Sequence, residues 1–140
     1  MFSFKYIKMK KLFAILTLLF IYNSLFAQIN DSSACLKYHR GKFSYTDPAG
    51  NIVLVDRLKN FQFDKNQTTK VKTQYRIKWI NDCQYELTLV STNSKSLRKN
   101  KYSVTSIIIS KPLGDSGYEY TCACKDPDLP KAAGVMKKIK

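Results

Sequence analysis

Two neighbouring runs, residues 71–80 and 83–90, constrain this chain more than any other segment. In the first, Val71, Thr73, Tyr75, Ile77 and Trp79 alternate with Lys72, Gln74, Arg76 and Lys78. In the second, Cys83, Tyr85, Leu87 and Leu89 alternate with Gln84, Glu86 and Thr88. A period of two belongs to a strand with one dry and one wet face, and two such runs separated by a turn form a hairpin. A two-residue Asn81-Asp82 loop would set Trp79 beside Gln84 and mix the two faces, and the buried face forbids that register. A three-residue loop, Ile80-Asn81-Asp82, keeps the faces together. It puts Trp79 opposite Cys83, Ile77 opposite Tyr85, Tyr75 opposite Leu87 and Thr73 opposite Leu89. On the wet face Arg76 then meets Glu86, an attraction worth a few tenths of a kcal/mol. Asn and Asp tolerate the left-handed backbone that such a loop needs.

The flanking sequence has the same texture. Phe43 and Tyr45 alternate with Ser44 and Thr46, and Asp47-Pro48-Ala49-Gly50-Asn51 carries turn chemistry. Ile52–Arg57 is rich in β-branched residues, and Phe61 and Phe63 flank Gln62 before a polar turn over residues 64–69. A loop at 91–100, a strand at 102–110, a turn at 111–117 and a strand at 118–124 follow. The tail 125–140, with Pro127 and Pro130, is either irregular or ends in a short strand near 135–139. Seven or eight short strands with regular turns and no long 3.6-residue period predict an all-β fold. It is a small antiparallel β-barrel or sandwich, with a lipocalin-like barrel as one form. The expected core is Phe43, Tyr45, Val53, Val55, Phe61, Phe63, Tyr75, Ile77, Trp79, Tyr85, Leu87, Leu89, Val104, Ile108 and Tyr120.

The start of the chain sets its expected compartment. Lys5, Lys8, Lys10 and Lys11 precede the apolar run 12–22, which ends in Asn23-Ser24-Leu25-Phe26-Ala27-Gln28. A basic patch, a short apolar stretch and a small residue before a polar one are the parts of a secretory signal peptide. The run is shorter than the ~20 residues of a membrane span. Residues 1–27 are therefore expected to be removed, leaving 28–140 as one exported domain, periplasmic or secreted, with no membrane segment. Translation could begin at Met1 or at Met9, since Met9-Lys10-Lys11 is itself a complete basic start. Cys35 is too far downstream, and Ser32-Ser33-Ala34-Cys35 too poor a match, for lipidation. The chain has 24 Lys and Arg against 10 Asp and Glu, and only four of the basic residues lie in the leader. The exported part thus stays strongly basic, which attracts anionic partners.

An even number of cysteines in a small exported domain reads as a disulfide framework. Cys35 before the first strand and Cys83 opening a core strand are the favoured pair. Cys122 and Cys124 either bond each other or each take one of the other two. The spacing of His39, Cys83, Cys122 and Cys124 lacks the paired knuckle of a zinc site, so no metal is expected. His39 is the one histidine, expected at the surface, and no partner for acid–base catalysis is apparent. No catalytic residue and no cofactor are assigned. Arg57 and Gln62, on adjacent strands, form either a buried polar pair or a ligand contact.

Gly41-Lys42-Phe43, Arg57, Gln62 and the block Trp79-Ile80-Asn81-Asp82-Cys83-Gln84-Tyr85-Glu86-Leu87 resemble a family of small exported proteins of Bacteroidetes-type bacteria. The likeness runs over most of residues 35–90. It implies a fold and a compartment but no chemistry, and Cys122 and Cys124 lie outside the family's pattern. Some members carry a "DNA topoisomerase IV" label; this chain is too short for such an enzyme and has no Gly-rich ATP-binding loop. The resulting expectation is a non-enzymatic domain that binds a small ligand or an envelope component. Arg57, Gln62, Trp79 and Tyr85 are the candidate contacts, in the mouth of the barrel. The alternative is a structural or interaction protein that binds anionic envelope polymers through the basic face of Lys72, Arg76 and Lys78. Tyrosine-rich strands with interspersed lysines resemble a nucleic-acid platform, but export makes nucleic acid an unexpected partner.

Overall fold

A computed structural model describes residues 32–123 and 132–139. The expected leader, residues 1–27, and Cys124 lie outside them. A 3-10 helix, Ser32–Tyr38, precedes eight strands: β1 (Gly41–Thr46), β2 (Ile52–Arg57), β3 (Phe61–Asn66), β4 (Lys72–Asn81), β5 (Gln84–Thr92), β6 (Val104–Pro112), β7 (Gly117–Ala123) and β8 (Ala133–Lys138). Each strand pairs antiparallel with the next, and β8 closes on β1, giving a closed up-and-down barrel. Closure leaves no edge strand open to pairing with another chain. Among the described residues no helix is long and apolar enough to cross a membrane.

The barrel has two ends. The ends of β2, β4, β6 and β8 and the starts of β1, β3, β5 and β7 meet at the end where the 3-10 helix sits. Cys35 and Tyr38 of that helix are fully buried, and a Cys35–Cys83 disulfide ties it to the β4–β5 turn. Tyr38 also donates its hydroxyl hydrogen to the Gly114 carbonyl at 2.8 Å. The helix is a plug. The opposite end, at the β1–β2 turn and the start of β8, is open as far as the described residues go.

The β4–β5 hairpin forms with the expected faces but a different register. Trp79 pairs with Tyr85, Ile77 with Leu87 and Tyr75 with Leu89, and the wet-face partner of Glu86 is Lys78, not Arg76. The turn is two residues, Asp82-Cys83, and a bulge between Trp79 and Asn81 restores the parity that a two-residue turn alone would break. A shift of two residues leaves every side chain on its own face, so alternation cannot detect it.

Four other expectations are corrected. The segment 64–69 is not all turn: β3 runs on to Asn66. Its faces are also inverted, with Gln62 and Asp64 buried inside while Phe61 is half-buried and Phe63 is 40% exposed. Along β6, Ile107 and Ile109 face the core and Ile108 faces out. His39 is half-buried, stacked on Trp79 with ring centroids 3.5 Å apart, and its Nε2 lies 2.9 Å from the Asp82 carbonyl oxygen. The tail does form a strand, β8, which brings Met136 opposite Tyr118. Gly117, at φ 127°, is required where β7 starts, because a side chain there would overlap the Met136 carbonyl.

Candidate functional site

Arg57 ends β2 with its side chain inside the barrel, 1% exposed. A guanidinium in a dry interior must find acceptors for its N–H groups. Nε donates to Gln62 Oε1 at 2.9 Å and one terminal nitrogen to the Tyr38 carbonyl of the plug at 2.8 Å. The other terminal nitrogen donates to the hydroxyls of Tyr85 at 2.9 Å and Tyr118 at 3.0 Å. Aromatic rings surround the cation: Tyr85, Phe43, Trp79 and Tyr118 lie with centroids 4.6 to 5.9 Å from its central carbon. Burial alone would push the guanidinium down, but the Tyr85 and Tyr118 hydroxyls outweigh it and hold the group above its ordinary value. The same burial pushes the Tyr85 hydroxyl well up, so it stays neutral. Every one of these acceptors is uncharged.

A carboxylate follows one side chain further along. Gln62 is directly opposite Arg57 in the β2–β3 register. Its amide oxygen faces the guanidinium, and its Nε2 donates to Asp64 Oδ1 at 3.0 Å. The amide dipole is thus aligned between a cation and a carboxylate two residues along β3. Among the described residues Asp64 Oδ2 accepts only a long bond, 3.4 Å, from the Tyr45 hydroxyl. Burial is the main influence on the Asp64 carboxyl and pushes it up to about 6, against the lowering effects of Gln62, Arg57 and Tyr45.

Asp64 borders a cavity of about 560 Å³ that fills the open half of the barrel. Its walls carry the side chains of Tyr45, Tyr75, Tyr85, Tyr120, Leu87, Ile107 and Met136, and its rim Asp47 and Ala132. Gly134 lies opposite Tyr120 in the β7–β8 register. An added Cβ there would come within 2.6 Å of the Tyr120 hydroxyl oxygen, so a larger residue would displace the Tyr120 ring. At the rim the Asp47 carboxylate accepts from the Ala49 and Asn51 backbone amides and from the Asn51 and Asn66 side chains. The Asn51 backbone bond does most to hold it below the usual carboxylate range.

Of the four candidate contacts, Arg57, Gln62 and Tyr85 form one hydrogen-bonded group and Trp79 packs on Arg57 and Tyr85. Only Gln62 and Tyr85 reach the cavity wall; Arg57 and Trp79 sit beneath it, toward the plug. Sequence reasoning missed Asp64, because Asp64-Lys65-Asn66 reads as turn chemistry. It also missed Tyr38 and Tyr118 as ligands of the guanidinium. The available signal was Arg57 itself, since an arginine ending an apolar strand needs polar company on the next one. Cys83 bonds Cys35 as favoured; Cys122 lies on the cavity wall.

A second depression, about 610 Å³, lies over the outside of β2, β3 and β4. Its walls include the outward Leu54, Phe63 and Gln74, with Lys42, Lys65 and Lys72 around them. It is an open groove on the outer face of the sheet. No protein-family model, no curated protein and no solved structure matches this chain.

Proposed function

We propose that this is an exported binding protein that holds a small organic ligand in the open half of its barrel. One observation carries the reading: an apolar and aromatic cavity of about 560 Å³ with Asp64, Gln62 and Tyr45 converging on one side. That size and that mixture of apolar wall with a few fixed polar groups are typical of small-molecule sites, which up-and-down barrels often enclose. Export is supported by the basic, apolar, small-residue pattern of residues 1–27 and by a disulfide, which persists in oxidising compartments. The Trp79–Leu87 block supports placing the chain with the small exported Bacteroidetes-type proteins it resembles.

The test is binding of a neutral apolar fluorophore, N-phenyl-1-naphthylamine. The full protein should enhance its emission with one-to-one stoichiometry. Leu87→Trp, which puts bulk into the cavity, should abolish the enhancement while keeping the β circular dichroism. Wild-type protein that leaves the dye dark would overturn the reading. A second reading rests on the outer face of β4, where Lys72, Arg76 and Lys78 are all exposed. There the chain would bind anionic envelope polymers, and retention on a polyanion column that is insensitive to salt would count against it.

A further inference from the structure

The chain is strongly basic, 24 Lys and Arg against 10 Asp and Glu. Its cavity is the opposite. Among the described residues the cavity's lining holds two carboxylates, Asp64 and Asp47, and no Lys, Arg or His. Arg57, the cation nearest to Asp64 in the network, already donates four hydrogen bonds, to Gln62, Tyr38, Tyr85 and Tyr118, and lies below the cavity floor. Among the described residues, a ligand entering past Asp47 meets negative charge first and positive charge only behind an oriented amide.

The walls suit the same kind of ligand. Tyr45, Tyr75 and Tyr120 come from β1, β4 and β7 and line one space with Asp64. Burial and then the Asp64 charge push the Tyr45 and Tyr75 hydroxyls up, Tyr75 to about 12. Burial, with the Cys122, Tyr118 and Asp64 groups adding to it, pushes Tyr120 to about 12 as well. All three are neutral phenols, each within reach of the Asp64 field. Neutral aromatic faces around a partly satisfied carboxylate are the elements of an ammonium site: the rings attract a cation through their quadrupoles and the carboxylate supplies its counter-charge. The long Tyr45–Asp64 bond leaves Oδ2 the oxygen most easily turned to a new donor.

We infer that the cavity is selective for an organic cation, an ammonium group on an apolar body of one or two rings, with its charge against Asp64 inside the Tyr45, Tyr75 and Tyr120 rings. This rests on the cavity reading above and narrows it to a ligand class. An anionic ligand would have to enter between two carboxylates to approach a guanidinium whose acceptors are already in place. A neutral ligand would leave the buried Asp64 charge uncompensated.

The experiment displaces bound N-phenyl-1-naphthylamine with three compounds of one shape: 1-naphthylmethylamine, 1-naphthylmethanol and 1-naphthoate. At pH 7.5 the amine should compete about tenfold better than the alcohol, and the carboxylate worst. Asp64→Asn should erase the preference while still binding the dye. In wild-type protein the preference should fade as pH falls from 7.5 to 5, because protons compete with the amine for Asp64 while the amine stays charged. The groups facing Asp64 there are Arg57, Gln62, Tyr45, Tyr75 and Tyr120, none of which titrates in that window. An alcohol that equals the amine, a carboxylate that beats it, or a preference unchanged at pH 5 would overturn the cation assignment and leave the cavity reading standing. A dye that never binds wild-type protein would remove both. The pH arm decides the matter even if Asp64→Asn fails to fold.

Discussion

The two ends of this barrel use the same materials to opposite effect. Both place a charged side chain among tyrosines inside a closed sheet. At the plugged end Arg57 has four acceptors at 2.8 to 3.0 Å and is 1% exposed. At the open end Asp64 has one good donor and one at 3.4 Å, and half-buried tyrosines face a cavity. A buried charge whose partners are complete has nothing left to offer a ligand and serves the fold. One whose partners are incomplete carries a standing electrostatic cost that a ligand can relieve. The difference lies in satisfaction, not in residue type.

The largest expected effect breaks the plugged end. Arg57→Met would leave the Gln62 amide oxygen and the Tyr38 carbonyl without their donor, the Tyr85 and Tyr118 hydroxyls with only each other at 3.0 Å, and Asp64 without its distant counter-charge. Removing one member of such a buried network costs about 3–5 kcal/mol, to be read from urea unfolding by fluorescence. A loss below about 1 kcal/mol would mean the guanidinium does not hold this end together.

The disulfide comes next and tests whether the ends are independent. Cys35 and Cys83 are 48 residues apart in sequence, and the paired Cys35→Ala, Cys83→Ala variant should lose about 2–4 kcal/mol. Amide exchange should rise in the 3-10 helix and the Leu113–Ser116 turn, where Tyr38 donates to Gly114. Dye affinity at the other end should stay within about twofold, as expected for sites without shared partners. A large loss of binding would show that the plug shapes the cavity.

Legibility in the sequence divides along the same line. The all-β class, the antiparallel hairpin and its two faces followed from alternation in β4 and β5, and the Cys35–Cys83 pair from its position. Alternation has period two, so it fixed which face each residue takes and was blind to the two-residue register shift between Trp79 and Tyr85. In β6 the run Ile107-Ile108-Ile109 has no alternation at all, so nothing in it tells that Ile107 and Ile109 face the core and Ile108 faces out. In β3 hydrophobicity pointed the wrong way. Phe61 and Phe63 were expected inside, but Arg57 across the sheet needs Gln62, Gln62 is oriented by Asp64, and the polar face turned inward. Arg57, Gln62, Trp79 and Tyr85 were expected as ligand contacts. Asp64 was not, because its reason for being buried lies in side chains that are distant in sequence.

The smallest expected effect concerns Asp64, and its sign is the useful part. Burial raises its carboxyl from the ordinary 3.8 to about 6 in the folded protein. Below about pH 4 the group is protonated in both states and contributes no penalty. Between 4 and 6 the folded protein keeps a proton that the unfolded chain has released, so stability falls as pH rises through this window and levels off above it. The total is on the order of 3 kcal/mol. Asp64→Asn has no charge to bury, so at pH 7.5 it should be more stable than wild type by about 1–3 kcal/mol, less whatever its altered bonds to Gln62 and Tyr45 lose. At pH 4 the two should unfold at nearly the same urea concentration. A carboxylate that weakens the fold at neutral pH, yet is required for amine preference, would mark a residue kept for binding. A variant less stable than wild type at pH 7.5 would mean that Asp64 serves Arg57 through Gln62, and that the open end is as structural as the plugged one.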